Sequence, residues 1–325
     1  MTMTRSTPIH PAYVDLIEFR DAGSLMHQVN DFDAFNKAID GHFAALFKLP
    51  EAIQEDRTVE FNGRTLDLTL LRPLGTENEE LPVIIYYHGG AFCSGSKYTC
   101  GKIIRDLCIK NHAAIVFPNY ALAPKVKFPG IHEECYAALE WVLAHGKDHR
   151  MDTSKVATCG DSAGGNLAIA IPLMAKQRGL TNAVKAQIPL YPLTTFEREH
   201  YPSYQEFSKG DYILTHEEVQ GIGAVYYDGV SSNGGDDKWF RLLSASVDDL
   251  RDLPPALLVT AEADLLRDEG EEFAQKLLQA GVKTAGVRMF GAVHGYMTLS
   301  EVETPQYLQT LAMIKYHLDE AFGRL

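Results

Sequence analysis

Gly160-Asp161-Ser162-Ala163-Gly164-Gly165 stands between a short apolar run, Val156–Cys159, and the helix-like stretch Asn166-Leu167-Ala168-Ile169-Ala170. A Gly-x-Ser-x-Gly core between a strand and a helix lifts a serine hydroxyl above the edge of a sheet. Glycine at 160 and 164 lets strand and helix pass without a Cβ clash. The amides at the helix start then point to where negative charge would develop in a reaction at Ser162. The same letters suit a plain glycine turn with Ser162 as a helix cap. The strand before it and the second glycine after it favour the reactive serine. Pro172 falls inside the helical stretch and is expected to kink it.

Working outward, Val83–Tyr87, Ala114–Phe117, Ala256–Thr260 and Val282–Phe290 are further short runs rich in apolar residues. Such runs suit strands buried on both faces of a parallel sheet. The stretches Cys100–Asn111, His132–Gly146 and Asp268–Ala280 between them read as crossover helices. This rhythm predicts an α/β fold, a mostly parallel central sheet with helices on both faces. Arg57–Leu71 alternates polar and apolar residues around Asn62-Gly63, so the sheet is expected to begin with an antiparallel hairpin.

Two segments break the rhythm. Residues 1–50 look helical, with apolar periodicity through Phe35, Ile39, Phe43, Leu46 and Phe47. Residues 194–245 are rich in Tyr, Gly, Ser and charge, and their aromatic residues favour packed structure over disorder. We read 51–193 and 246–325 as the catalytic core, and 1–50 with 194–245 as a cap over the active site.

His88-Gly89-Gly90-Ala91-Phe92 follows the run Val83–Tyr87. Acyl transfer turns a carbonyl oxygen into an oxyanion, which needs fixed N–H donors, each worth roughly 3–4 kcal/mol of barrier. Gly90 and Ala91 are the best donors in this loop, and Ala163 is the third. His88 is expected to brace the loop. The run Ala256–Thr260 leads to Asp264, with Glu262 and Asp268 as rival acids. The last run leads to Gly291-Ala292-Val293-His294-Gly295-Tyr296. The chain order Ser162, Asp264, His294 is that of the triad of nucleophile, acid and base known on this kind of sheet.

With these pieces in view, the chain closely resembles the hormone-sensitive-lipase-like esterases, family IV of the bacterial lipolytic enzymes. The likeness rests on H-G-G-A-F at 88–92, Y-A-L-A-P at 120–124, G-D-S-A-G-G at 160–165, Y-P at 191–192, D-L-L-R-D-E at 264–269 and H-G-Y at 294–296. It spans roughly residues 80–320. The resemblance implies an α/β-hydrolase fold with a helical cap over an acyl pocket, hydrolysis of short- to medium-chain acyl esters, and neither metal nor organic cofactor. It also implies dimerisation through the last strand and last helix, here Val282–Phe290 and Thr304–Phe322. Phe92, Phe207 and Tyr212 are candidates to line the pocket, with core packing an equal reading for each. Three positions depart from the family pattern. Ala91 stands where glycine is commoner, Leu265 where proline is common, and Lys125 where glutamate is usual. The last change is expected to cost a structural salt bridge.

The bulk properties agree. The 325 residues carry a formal net charge of −13, which leaves no electrostatic footprint for a nucleic-acid backbone. No run reaches the ~18 apolar residues of a membrane span, and Met1 to Gln28 holds no secretion-like apolar stretch. The five cysteines lack metal-type spacing and are read as reduced thiols of a cytoplasmic protein; a Cys100–Cys108 disulfide is the alternative. Competing readings are a catalytically silent ligand-binding homologue of the same fold, a peptidase or amidase, and a structural protein. The last would leave the assembled motifs unexplained.

Overall fold

The computed structural model describes residues 5–14, 16–17, 29–46, 48–227, 236–299 and 301–325. Its centre is an eight-stranded sheet in the order β1-β2-β4-β3-β5-β6-β7-β8. The strands are β1 Ile53–Phe61, β2 Arg64–Arg72, β3 Leu81–Tyr87, β4 Ala114–Pro118, β5 Met151–Asp161, β6 Ala186–Leu190, β7 Ala256–Ala263 and β8 Thr284–Val293. The hairpin β1–β2 turns on Asn62 and Gly63, both at positive φ (49° and 73°), as a tight two-residue turn requires. β2 runs antiparallel to β4, and the strands from β4 to β8 are parallel. β3 is buried at every residue, so its continuous apolar run is what a strand covered on both faces needs.

The main helices are α1 Phe32–Leu46, α2 Gly101–Asn111, α3 Gly130–His145, α4 Ala163–Gln177, α5 Pro202–Phe207, α6 His216–Tyr226, α7 Arg267–Gln279 and α8 Pro305–Ala321. Helices α3, α4 and α7 bury their apolar sides on one face of the sheet, and α2 and α8 on the other. The two layers hold β5 and β7 so that their carboxyl ends open on one edge, where parallel α/β sheets place their sites.

The structure corrects several sequence expectations. β5 begins at Met151, and β8 spans Thr284–Val293 where Val282–Phe290 was expected. β6, Ala-Gln-Ile-Pro-Leu, was not anticipated because Gln187 and Pro189 interrupt its apolar pattern. All five cysteines are free and buried, so Cys100 and Cys108 are not joined. α4 continues through Pro172. Proline has no N–H for the carbonyl of Ala168 four residues earlier. The hydroxyl of Thr158, on β5, donates to that oxygen at 2.8 Å instead.

Of the two segments that broke the rhythm, Phe47 and much of residues 1–28 lie outside the described residues, as do 228–235. The described N-terminal residues bind the second segment. Arg5 donates to the carbonyl of Asp211 at 2.9 Å, and the amide of Thr7 donates to the Tyr212 hydroxyl at 3.1 Å. Residue 10 reaches the last strand, its amide donating to Gly291 O at 2.9 Å. α1 leans on the loop after β3, where Asn36 donates to Cys93 O at 3.0 Å. Lys125 meets Asp33 of α1 at 2.7 Å, with both side chains 70% exposed.

Candidate active site

Ser162 sits between the last residue of β5 and the first of α4, with φ 55° and ψ −116°. A non-glycine residue there costs of order 1–3 kcal/mol and persists only when its surroundings fix it. They do: Ser162 N donates to Leu190 O at 2.9 Å, and Ser162 O accepts from Asn166 N at 3.1 Å and Leu193 N at 3.3 Å. The flanking glycines are needed sterically. A Cβ on Gly164 would lie 1.9 Å from Tyr87 O, and one on Gly160 would lie 2.2 Å from Gly164 O.

His294 follows directly on β8. Its Nε2 lies 2.9 Å from Ser162 Oγ, and its Nδ1 lies 2.8 Å from Asp264 Oδ2. A carboxylate accepts, so Nδ1 is the protonated nitrogen and Nε2 is left facing the serine hydroxyl. Asp264 is buried, and its other oxygen accepts from Leu266 N at 2.9 Å. The ring of Tyr191 packs across the imidazole with centroids 5.0 Å apart. The rival acids are engaged elsewhere. Glu262 accepts from Gly291 N at 2.7 Å, and Asp268 accepts from Ser203 N at 2.7 Å and pairs with Arg267 at 2.8 Å.

The loop after β3 turns through three successive positive-φ residues, Gly90 (99°), Ala91 (60°) and Phe92 (61°). A side chain at Gly90 would meet Ser94 O at 2.2 Å. The turn closes on Gly90 O, which accepts from Cys93 N at 3.0 Å and Ser94 N at 2.9 Å. Among the described residues, the amides of Gly90, Ala91 and Ala163 take part in no hydrogen bond. His88 is committed to the loop: Nδ1 donates to Gly89 O at 2.7 Å, and the ring stacks on Tyr120 at 4.0 Å and Phe117 at 5.5 Å. Burial lowers its pKa to about 4, so it is neutral near pH 7.

The three pocket candidates separate. Phe92 is fully buried, stacked on Tyr226 at 4.5 Å and close to Phe240 at 5.5 Å. Phe207 and Tyr212 pack edge-to-face at 4.9 Å. They lie in the segment bound by the N-terminal residues, and Arg267 stands over the Phe207 ring at 5.2 Å.

Some contributors were not singled out from the sequence. Asp161 accepts from Gly89 N at 3.0 Å and from the Tyr86 hydroxyl at 2.8 Å. Tyr120, in Y-A-L-A-P, donates to His88 O at 2.6 Å. Glu269 closes D-L-L-R-D-E and is fully buried. It pairs with the equally hidden Arg198 at 2.7 Å and accepts from Thr194 N at 2.7 Å, holding the segment after β6. A charged letter among glycines and small residues in G-D-S-A-G-G was the available signal for Asp161; Glu269, one of four charged residues in D-L-L-R-D-E, carried none. Among the described residues no group of three or more His, Cys, Asp or Glu side chains is placed to hold a metal ion. No helix among them is long and apolar enough to cross a membrane.

Comparison with known proteins adds a family. A model of the alpha/beta hydrolase fold matches residues 84–298. The chain is 33% identical to the carboxylesterase NlhH of Mycobacterium tuberculosis, over 78% of each protein. It is 32% identical to an arylesterase of Saccharolobus solfataricus, over 78% of this chain and 80% of that one. Among solved structures, one of two fungal esterases from Rhizomucor miehei superposes with a TM-score of 0.93 at 43% identity, covering 98% of this chain and 99% of that one. A thermostable esterase from Pseudomonas putida superposes with a TM-score of 0.88 at 30% identity, covering 97% of this chain and 99% of that one.

Proposed function

Because the chain belongs to the hormone-sensitive-lipase-like esterases of the α/β-hydrolase fold, and is a carboxylic ester hydrolase, we propose that Ser162, His294 and Asp264 are its catalytic triad. In this reading Ser162 Oγ attacks the acyl carbonyl while His294 Nε2 takes its proton. The amides of Gly90, Ala91 and Ala163 receive the oxyanion. His294 then protonates the leaving alcohol, and water, activated by the same imidazole, resolves the acyl-enzyme. Asp264 fixes the tautomer of His294 and steadies the imidazolium. The observation that carries the proposal is the hydrogen-bonded line from Asp264 through His294 to Ser162, at 2.8 and 2.9 Å, beside the unengaged amides.

The proposed substrates are short- to medium-chain acyl esters. Residues 1–50 and 194–245 form the cap, a reading supported by the bonds of Arg5 and Thr7 to Asp211 and Tyr212. Phe92, on the loop after β3, and Phe207 and Tyr212, in the cap, are the proposed pocket walls. The free cysteines suit a reducing compartment, so the cytoplasm is the proposed location. A second copy is proposed to pair on β8 and α8, where Phe290 and Tyr316 are 69% and 61% exposed; sedimentation as a monomer at micromolar concentration would remove that proposal.

Initial rates on p-nitrophenyl esters from acetate to palmitate test the main reading, with Ser162→Ala in parallel. Rates that peak at short or medium chains and vanish in the variant are expected. Turnover that survives in Ser162→Ala rejects the triad. A wild-type protein that binds esters without turnover turns the reading to a silent ligand-binding homologue.

A further inference from the structure

The reaction at Ser162 requires two separately folded pieces to stand in register: the turn after β5 and the loop after β3. One side chain joins them. Asp161 immediately precedes Ser162, and Gly89 immediately precedes Gly90. Oδ1 of Asp161 accepts from Gly89 N at 3.0 Å and, on the same oxygen, from the Tyr86 hydroxyl at 2.8 Å. A Cβ on Gly89 would meet the other carboxylate oxygen at 2.4 Å, so only glycine allows this approach. The far side of Gly89 is fixed too, its carbonyl accepting from His88 Nδ1 at 2.7 Å.

Resting on the catalytic reading above, we infer that Asp161 is a positioning residue: its carboxylate locks the loop carrying Gly90 and Ala91 to the turn carrying Ser162. A carboxylate out of water is costly unless it is hydrogen-bonded, and Asp161 is only 4% exposed. Burial raises its pKa, and the hydrogen bonds from the Tyr86 hydroxyl and Gly89 N counter that rise. A residue that merely filled this space would be apolar. Here the buried oxygen holds one donor from the loop and one from β3, the strand that leads into it. Removing it frees the loop to shift, and a displacement of about 1 Å in such a site lowers rates about 10²-fold.

The test uses the purified full chain and four variants: Asp161→Ala, Asp161→Asn, Tyr86→Phe and Ser162→Ala. Each is assayed for kcat and KM on p-nitrophenyl butyrate, for inhibition by an alkyl trifluoromethyl ketone, and for melting temperature. The ketone adds to the serine as a tetrahedral oxyanion, so its affinity reads the register of the amides. Asp161→Ala is expected to lose about 10²-fold in kcat with KM within about 3-fold, and to lose ketone affinity by the same factor as kcat/KM. Asp161→Asn keeps an acceptor oxygen and should recover most of that loss. Tyr86→Phe frees one anchor of the carboxylate and should show a smaller, parallel loss; it carries the test if Asp161→Ala does not fold. The inference falls if kcat and ketone affinity are unchanged in Asp161→Ala, or in Tyr86→Phe where Asp161→Ala is unfolded. It falls equally if kcat drops while ketone affinity does not. Activity remaining in Ser162→Ala overturns the wider catalytic reading. A dead Ser162→Ala beside a normal Asp161→Ala overturns only this one.

Discussion

The hydroxyl of Thr158 donates to the carbonyl oxygen of Ala168 at 2.8 Å, filling the bond that Pro172 cannot make in the helix behind Ser162. Both partners are fully buried. Thr158→Val keeps the shape and leaves that carbonyl unsatisfied, so it should lower stability by about 1–3 kcal/mol. In a Pro172→Ala background the helix supplies its own N–H, and the same substitution should cost less. Urea unfolding of the four proteins measures the coupling, and strict additivity would show that the hydroxyl does not substitute for the missing N–H.

Asp264 and Glu262 are two residues apart, but only Asp264 faces Nδ1 of His294. Asp264→Asn should reduce kcat by about 10³–10⁴-fold, because the imidazole would be held in the wrong tautomer. Glu262→Gln retains an oxygen for Gly291 N and should change kcat by less than about 10-fold. Steady-state rates on one ester decide it, and the reverse order would move the acid to Glu262.

Arg198 and Glu269 form an ion pair with almost no exposure, 2% and 0% of the side chains. Removing one partner leaves a buried charge alone and typically costs about 3–5 kcal/mol. Arg198→Met should therefore destabilise strongly, and Arg198→Met with Glu269→Gln should recover part of the loss. A double variant no more stable than the single one would assign the cost to lost packing.

His88 and His132 are buried, and burial lowers both pKa values to about 4. The unfolded chain takes up these protons near pH 6.5, while the folded chain does not until about pH 4. Between those values the unfolded state binds more protons, so stability is full above about pH 6.5 and falls as pH falls. Each histidine contributes on the order of 3 kcal/mol to that loss. His132→Asn cannot protonate, so its stability should fall less steeply, by up to about 1.4 kcal/mol per pH unit. Urea midpoints from pH 4.5 to 7.5 read the difference, and equal slopes would mean that His132 protonates freely in the fold.

What was legible in the sequence was local chemistry. β3, β4, β5 and β7 read as strands because residues covered on both faces must be apolar, whereas β8, expected to be covered likewise, lies at the sheet edge and is at least partly exposed along most of its length. The turn at Ser162 read as such because its glycines have no substitute where Tyr87 O and Gly164 O lie within 2.2 Å of any added Cβ. The order of Ser162, Asp264 and His294 then named the candidates. The tertiary structure alone decided which groups meet. β6 escaped notice because Gln187 and Pro189 spoil its pattern, and only the fold gives the buried Gln187 Nε2 its acceptor, Pro254 O at 2.8 Å. Asp264, rather than Glu262 or Asp268, meets His294 because of where the carboxyl end of β7 aims it. Asp161 reaches Gly89 because β3 and β5 pair with Tyr87 opposite Gly160. Sequence periodicity reports whether a residue faces solvent or core, an average over its neighbours. A hydrogen bond depends on a few tenths of an ångström between residues far apart in the chain, and only the register of the sheet sets that distance.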